Sequence, residues 1–382
     1  MSIPYPNLFS EASIGNMIVK NRLIRSATFE ELADEHGNVT DGYIELHRRL
    51  ASGGVGLIIT GYAHPIKNGG LPHMIGVESD DCIKGLRKVV EAVHNSGDGC
   101  KIALQIGHCG RQFPRRLQKE TVAPSAVIDP STGRIPREMS FEEVDKFIKA
   151  CSAAVRRARD AGFDAVQFHA AHGWLLSSFL SPHTNRRQDM YGGSTENRVR
   201  VLSEIYKHSV KQVGSDFPIF AKINGNDFVE GGIDPNESLR LGKILSEVGF
   251  AALEVSCCMW ETIVRRPEEI GWQPAVLPES RTNIVTKEKE AYNRAYTQLF
   301  KEKIENCSII LVGGLRSADV MEEIVSRKDA DFVSLSRPLI REPDLPYLFK
   351  SGSKSVADCI SCNKCITNKK RHGLHCSNIE NI

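Results

Sequence analysis

The stretch DAVQFHAAHGWLLSSFLSPHTNRRQDMYGGSTENRVR, Asp164 to Arg200, decides the fold. Ala165–His169 reads as a buried strand, a short apolar run closed by a polar ring. His169 and His172 stand three residues apart at and just past its end. An apolar run, Trp174–Leu180, leads into the polar loop SPHTNRRQDMYGGS, and a new helix is expected near Ser194. A strand that delivers ring donors at its C-terminal end, before a long loop, suits the rim of a parallel barrel.

Outward from that stretch the same alternation recurs. Further strands are expected near Leu23–Phe29, Val55–Gly61, Lys101–Ile106, Ile219–Ile223, Ala251–Val255, Ile309–Val312 and Phe332–Leu335. Helix signals fall between them. Ser140-x-x-Glu143 is a capping box before FEEVDKFIKACSAAVRRARDAG, whose apolar residues keep helical spacing. Asp234-Pro235-x-Glu237 supplies an N-cap, a proline in the first turn and a capping glutamate. Strand and helix in strict alternation mean parallel βαβ units. Eight of them predict an α/β chain built as a (β/α)8 TIM barrel, residues 1–350, with a short Cys-rich C-terminal tail, residues 351–382. A doubly wound sheet is the alternative, but no G-x-G-x-x-G follows the first strand.

Composition narrows the partners. Hydrophobic content of 41% and charge of 25% suit a soluble globular protein. A net charge of +2 gives no reason to expect nucleic acid or an anionic membrane. MSIPYPNLFSEASIG lacks the basic and apolar regions of a secretory signal, and runs such as VGLIIT fall far short of the roughly 20 residues needed to span a bilayer. The expectation is a cytoplasmic protein with a small-molecule substrate; a homo-oligomer is left open. Eleven cysteines in such a setting suggest free thiols, with a metal site where they cluster.

HAAHGWLLSSFLSPHTNRRQDMYGGSTENR, Asn197 and Arg198 included, closely resembles the signature H-x-A-[HN]-G-Y-L…FLSP…N-x-R-x-D-x-Y-G-G-S-x-x-N-R of the old yellow enzyme family of flavin oxidoreductases. The resemblance extends from Leu8 to Leu348. It implies a barrel that holds FMN, takes electrons from NAD(P)H and passes hydride to an activated C=C. On it, Ala27 and Thr28 lie under the flavin, and Phe29 stands where many relatives carry a Thr or Cys. Gly61 closes the second strand where a side chain would crowd a bound ring. Gln105 offers both a donor and an acceptor to the pyrimidine edge, and Lys222 places a cation beside the N1–O2 edge. Gly313, Gly314, Ser336 and Arg337 end strands seven and eight, where such barrels commonly hold phosphate.

His169 and His172 are the expected pair of donors to a substrate carbonyl, with His169 also beside the flavin. One departure matters. The family usually has a Tyr acid two residues after the second donor, and this chain has Trp174, whose indole donates a hydrogen bond but is no usable acid. The missing proton then comes from water, from another residue, with Cys257, Cys258 and loop residues as candidates, or not at all. Trp174 and Trp260 are expected to line the substrate cavity, and Arg111, Arg115, Arg116 and Lys119 cluster on a loop of about thirty residues that could meet an anionic tail. An amine-oxidising flavin dehydrogenase and a low-turnover flavin-binding redox sensor are the alternatives.

The tail carries Cys359, Cys362, Cys365 and Cys376 in the pattern C-x2-C-x2-C-x10-C. Four thiolates can hold a [4Fe–4S] cluster or zinc, and unliganded thiols are the remaining alternative. The segment resembles the iron–sulfur motif of the 2,4-dienoyl-CoA reductase branch, with one residue fewer between its second and third cysteines. The sequence ends six residues after Cys376, so the second, dinucleotide-binding domain of that branch is not expected.

Overall fold

The eight strands form a closed, all-parallel ring in which each pairs with the next in sequence and the last with the first. They are β1 (Leu23–Arg25), β2 (Leu57–Ile59), β3 (Lys101–Ile106), β4 (Ala165–Ala170), β5 (Ile219–Asn224), β6 (Ala252–Ser256), β7 (Ser308–Val312) and β8 (Phe332–Leu335). This computed structural model describes residues 3–117, 119–274, 277–367 and 373–379. The outer ends of both expected domains, at residues 1 and 382, lie outside the described residues.

Helices follow the strands for the local reasons visible in the sequence. The Ser140 side chain accepts from the Glu143 backbone N–H, and Glu143 reaches back to Ser140, starting Phe141–Ala161. Asp234 caps Pro235–Val248 through the Glu237 N–H. The Glu237 side chain, however, serves Thr195 and Arg198 on the neighbouring helix Thr195–Val213 rather than its own cap. No described helix is long and apolar enough to cross a membrane.

Strand pleat sorts the barrel interior into layers, because alternate residues face the same way. Ile24, Leu57, Ile59, Ala103, Ala165, Phe220, Ala252, Ile310 and Phe332 meet in one buried apolar cluster at the lower end. The hairpin Ala12–Ile14/Met17–Val19 closes that end by adding Ile14, Met17 and Val19. Phe220 and Phe332 are fully buried there, each contributing about 1.5–3 kcal/mol. Two residues further along, the inward series becomes polar on six of the eight strands: Ser26, Gln105, Gln167, Lys222, Glu254 and Ser334 are all buried. The outward residues, such as Ile102, Leu104, Val166, Phe168 and Leu253, pack under the helices.

β1 and β2 are shorter than expected. Ser26 N–H still bonds the Leu335 carbonyl at 2.9 Å, but the chain then turns over the barrel mouth. The fully buried Arg25 guanidinium holds that turn, donating to the Ser26 carbonyl and Thr28 Oγ1. The tail folds back on the same end. Asn363 joins Arg337 to the Ser280 carbonyl at 2.7 and 2.6 Å, and Leu374 N–H bonds the Glu30 carbonyl at 2.8 Å.

Candidate active site

A cavity of about 430 Å3 opens at the C-terminal ends of the strands. Its floor is a hydrogen-bonded chain of inward-facing polar residues. Gln105 Nε2 donates to Gln167 Oε1 at 2.6 Å, and Gln167 Nε2 donates to Glu254 Oε2 at 2.9 Å. Ser26 Oγ donates to Glu254 Oε1 at 2.7 Å. Lys222 Nζ lies 3.0 Å from Ser26 Oγ and 3.4 Å from Glu254 Oε2. A buried ammonium requires such a partner, and the carboxylate of the fully buried Glu254 supplies it. Lys222 therefore points into the barrel.

His169, the fifth residue of β4, and His172 border this floor, with ring centroids 5.1 Å apart and planes at 79°. His172 has a left-handed backbone, φ 65°, a conformation that costs a bulky residue of order 1–3 kcal/mol. Three hydrogen bonds fix it. Its N–H donates to Asn224 Oδ1 at 3.1 Å, and its carbonyl accepts from Gln112 Nε2 at 2.9 Å and the Trp260 N–H at 3.1 Å. Its ring Nε2 lies 2.7 Å from Ser256 Oγ. Burial, and then the Lys222 charge, hold His169 well below the usual imidazole range. Burial, His169 and Lys222 do the same for His172. Both rings are thus neutral near pH 7, each with one N–H to donate.

The roof is apolar. Tyr62, Met74, Cys109, Phe113 and Trp174 form one buried cluster, against which Phe29 and Trp260 pack. Trp174 stands 5.4 Å from Trp260, 5.7 Å from Tyr62 and 6.1 Å from His169 between ring centroids. Tyr62 Oη lies 2.9 Å from Cys109 Sγ.

Gly313, Gly314, Ser336 and Arg337 line the far end, together with Thr28, whose Oγ1 lies 2.7 Å from Ser336 Oγ. At both glycines φ is positive, and an added Cβ would come within 2.7 and 2.8 Å of the Tyr292 ring. Their missing side chains thus make room for Tyr292. One Arg337 nitrogen is occupied by the Arg281 carbonyl at 2.8 Å and Asn363 Oδ1 at 2.7 Å.

Of the residues singled out from sequence, Ala27, Thr28, Gln105, His169, His172, Trp174, Lys222, Trp260, Gly313, Gly314, Ser336 and Arg337 share this cavity, and Gly61 does not. A Cβ at Gly61 would meet Glu30 Oε2 at 2.1 Å; the glycine makes way for a buried carboxylate whose Oε1 accepts its N–H at 2.8 Å. Arg116 reaches the cavity, whereas Arg111 is fully buried and paired with Glu261 at 2.9 Å. Cys359, Cys362, Cys365 and Cys376 line one recess of about 20 Å3, and Cys365 also borders the main cavity. Among the described residues, no three His, Cys, Asp or Glu side chains stand in a metal-holding arrangement. The tetrad is gathered without being closed around a centre. The intervening residues 368–372 lie outside the described residues.

The loop that carries the diagnostic motif is scaffold. Arg187 pairs with Asp189 at 2.6 Å and donates to the Met139 carbonyl at 2.6 Å; Asn185 Nδ2 donates to the Phe179 and Tyr191 carbonyls; and Arg198 Nε donates to the Leu180 carbonyl at 2.8 Å. Gly192 is required because a Cβ there would sit 2.2 Å from the Arg187 carbonyl oxygen.

The sequence reading passed over Gln167, Glu254, Asn224, Ser256 and Glu279. The first four share the inward pleat register with His169 or Lys222, a period-2 signal available in the sequence. Glu279 comes from the long loop after β6, where no periodicity points to it.

The cavity fits a flavin on its own features. Its volume falls in the roughly 300–1,000 Å3 range of ligand sites. It sets an apolar roof against a polar floor, as a flat ring with a polar edge requires. Among the described residues, buried His169 Nδ1 and Ser334 Oγ have no hydrogen-bond partner, and both line the space.

A family model described as NADH:flavin oxidoreductase / NADH oxidase matches residues 7–355. An NADH oxidase of Thermoanaerobacter brockii is 36% identical over 94% of this chain and 53% of its own length. An NADPH dehydrogenase of Clostridium acetobutylicum is 33% identical over 88% of this chain and 92% of its own length. A solved 2-naphthoyl-CoA reductase, in complex with 2-naphthoyl-CoA, superimposes with a TM-score of 0.85 at 28% identity, over 94% of this chain and 55% of that one. The chain thus spans about half the length of the first relative and of that structure. This chain belongs to the NADH:flavin oxidoreductase / NADH oxidase family, the family of the old yellow enzymes.

Proposed function

We propose that the protein is an FMN-dependent NAD(P)H oxidoreductase that delivers hydride to a C=C bond conjugated to a carbonyl. The observation that carries this reading is the pair of neutral, buried imidazoles, His169 and His172, facing the same cavity as the buried Lys222. When bound, FMN accepts hydride from the nicotinamide and supplies it to the substrate. The residues that would hold it are Ala27, Thr28, Gln105 and Lys222 at the ring and Gly313, Gly314, Ser336 and Arg337 at the phosphate. Lys222 would place positive charge beside the bound ring and favour its reduced, anionic form.

His169 and His172 then hold the carbonyl oxygen. Negative charge grows there as the β-carbon gains hydride, and two fixed donors lower that barrier; each is worth roughly 10²–10³ in rate. Ser256 sets the second donor. With Ser256 Oγ–H donating to Nε2, the imidazole proton sits on Nδ1, the ring nitrogen away from Ser256. The roof of Trp174, Trp260 and Tyr62 excludes water and favours a flat, apolar substrate body. Arg116 at the cavity and the 2-naphthoyl-CoA bound by the structural relative favour an acyl thioester with an anionic tail. Cys359, Cys362, Cys365 and Cys376 are proposed to ligate a [4Fe–4S] cluster or zinc, supported by their convergence on one recess; iron, sulfide and zinc analysis before and after Cys362→Ser tests it.

Anaerobic titration of the FMN-loaded protein with NADH and NADPH tests the function. Bleaching by one or both, followed by reoxidation with a panel of enones and enoyl thioesters, is expected. A protein that stays colourless after incubation with FMN, or reduced flavin that no enone or enoyl thioester reoxidises, contradicts it.

A further inference from the structure

We propose that Glu279 is the acid that protonates the substrate's α-carbon, the role that Trp174 cannot perform. The inference rests on the reading above and names the residue it lacks. Glu279 arrives from the long loop after β6 and lines the cavity, with its side chain only 16% exposed. Its Oε1 stands 3.8 Å from His172 Nδ1, the ring nitrogen that Ser256 leaves for the substrate. A carbonyl oxygen bonded to that nitrogen would lie about 2.7–3.2 Å from it. The α-carbon, two bonds further on, then falls beside the carboxyl group.

The loop is pinned at this residue and at the next. Tyr292 Oη donates to the Glu279 carbonyl at 2.6 Å, and Asn363 Nδ2 donates to the Ser280 carbonyl at 2.6 Å. Glu31, on the loop after β1, is the other carboxylic acid lining the cavity, and two hydroxyls there are committed elsewhere. The Tyr292 hydroxyl is spent on that carbonyl, and Tyr62 Oη is paired with Cys109 Sγ at 2.9 Å. Cys365 belongs to the tail recess with the other three cysteines.

The carboxyl group is also in a usable form. Burial pushes Glu279 up to about 7, against the opposing pull of Lys222 and Arg337. The other titratable groups that face it are His172, Tyr292 and the vicinal thiols Cys257 and Cys258. In the step itself, hydride from the reduced flavin forms the β-C–H bond and the π pair moves to the α-carbon. The Glu279 O–H bond breaks as the α-C–H bond forms. The carboxylate regains its proton from water, and a nicotinamide supplies the two electrons upstream.

The test compares wild type, Glu279→Gln, Glu279→Asp and Glu279→Gln/Trp174→Tyr by stopped flow, starting from reduced flavin. Reoxidation of Glu279→Gln by an enone should slow by roughly 10²–10⁴. Reoxidation by ferricyanide, which needs no proton on carbon, should slow far less. The wild-type rate should fall as pH rises through about 7, and Glu279→Gln should lose that limb. Glu279→Asp should keep part of the rate, and the added Trp174→Tyr should restore part of it. A readout independent of turnover is the infrared band of a protonated carboxyl, present below and lost above about pH 7 in wild type and absent in Glu279→Gln. Equal enone rates and an unchanged pH profile in Glu279→Gln overturn the assignment, as does loss of that limb in Glu31→Gln instead. A wild type that reduces no enone at all overturns the proposed function itself.

Discussion

Replacing Lys222 with methionine removes the cation from the barrel's floor while keeping most of its volume. Glu254 is then left fully buried, with Gln167 and Ser26 as donors but no counter-charge. The separation of 3.4 Å between Lys222 Nζ and Glu254 Oε2 corresponds to about 5 kcal/mol of attraction at an effective dielectric of about 20. Removing one member of such a pair typically costs about 3–5 kcal/mol, because the remaining charge stays desolvated. Urea denaturation at pH 7, followed by circular dichroism, should show Lys222→Met less stable than wild type by that amount. Adding Glu254→Gln should recover most of the loss, since the new amide oxygen still accepts from Gln167 and no charge remains to be buried. A Lys222→Met protein within about 1 kcal/mol of wild type, or a double variant as unstable as the sum of the singles, would refute the buried-pair reasoning.

Ser256→Ala should free the His172 tautomer and slow enone reduction by roughly three- to tenfold, the worth of one hydrogen bond, with substrate KM little changed. Asn224→Ala should cost about 1–3 kcal/mol in a thermal melt, because it orphans the buried His172 N–H and removes a donor from Asp227 and from the Cys258 carbonyl. Stability should also fall on acidification from pH 6.5. Burial depresses His47 to about 4, His108 to about 3, and His169 and His172 well below their usual range. The unfolded chain therefore binds protons below about 6.5 that the native state refuses, at roughly 1.4 kcal/mol per pH unit for each such histidine. Glu30 and Glu279, raised to about 7 by burial, act in the opposite sense between pH 4.5 and 7, but the histidines outnumber them. A denaturant midpoint that rises between pH 6.5 and 5 would contradict this sign.

What the sequence makes legible follows from periodicity and capping. The strands from β3 to β8 are short apolar runs between helices, and their expected bounds agree with the structure within a residue. β1 and β2 are overextended because hydropathy cannot see where a chain leaves a sheet; the turn after Arg25 is made by a buried guanidinium, and the Gly61 position by the Glu30 carboxylate. In the candidate site, strand-end residues are readable because the pleat fixes their direction. His169, Lys222 and Gln105 come from strands, as do the overlooked Glu254 and Ser256. Glu279 and the interior placement of Arg111 depend on long loops, whose paths are set by tertiary hydrogen bonds rather than by any repeating pattern. The same holds for the tail, where four cysteines line one recess and Asn363 and Leu374 tie the segment to the rim.

The central claim is that His169 and His172 together anchor the carbonyl of a substrate reduced at this cavity. The most direct measurement is the rate at which an enone reoxidises the reduced flavin in wild type and in His169→Ala/His172→Ala, with ferricyanide reoxidation as the internal reference. The account predicts that the enone rate of the double variant drops by at least roughly 10²–10³ relative to that reference. Equal enone rates in the two proteins would contradict it.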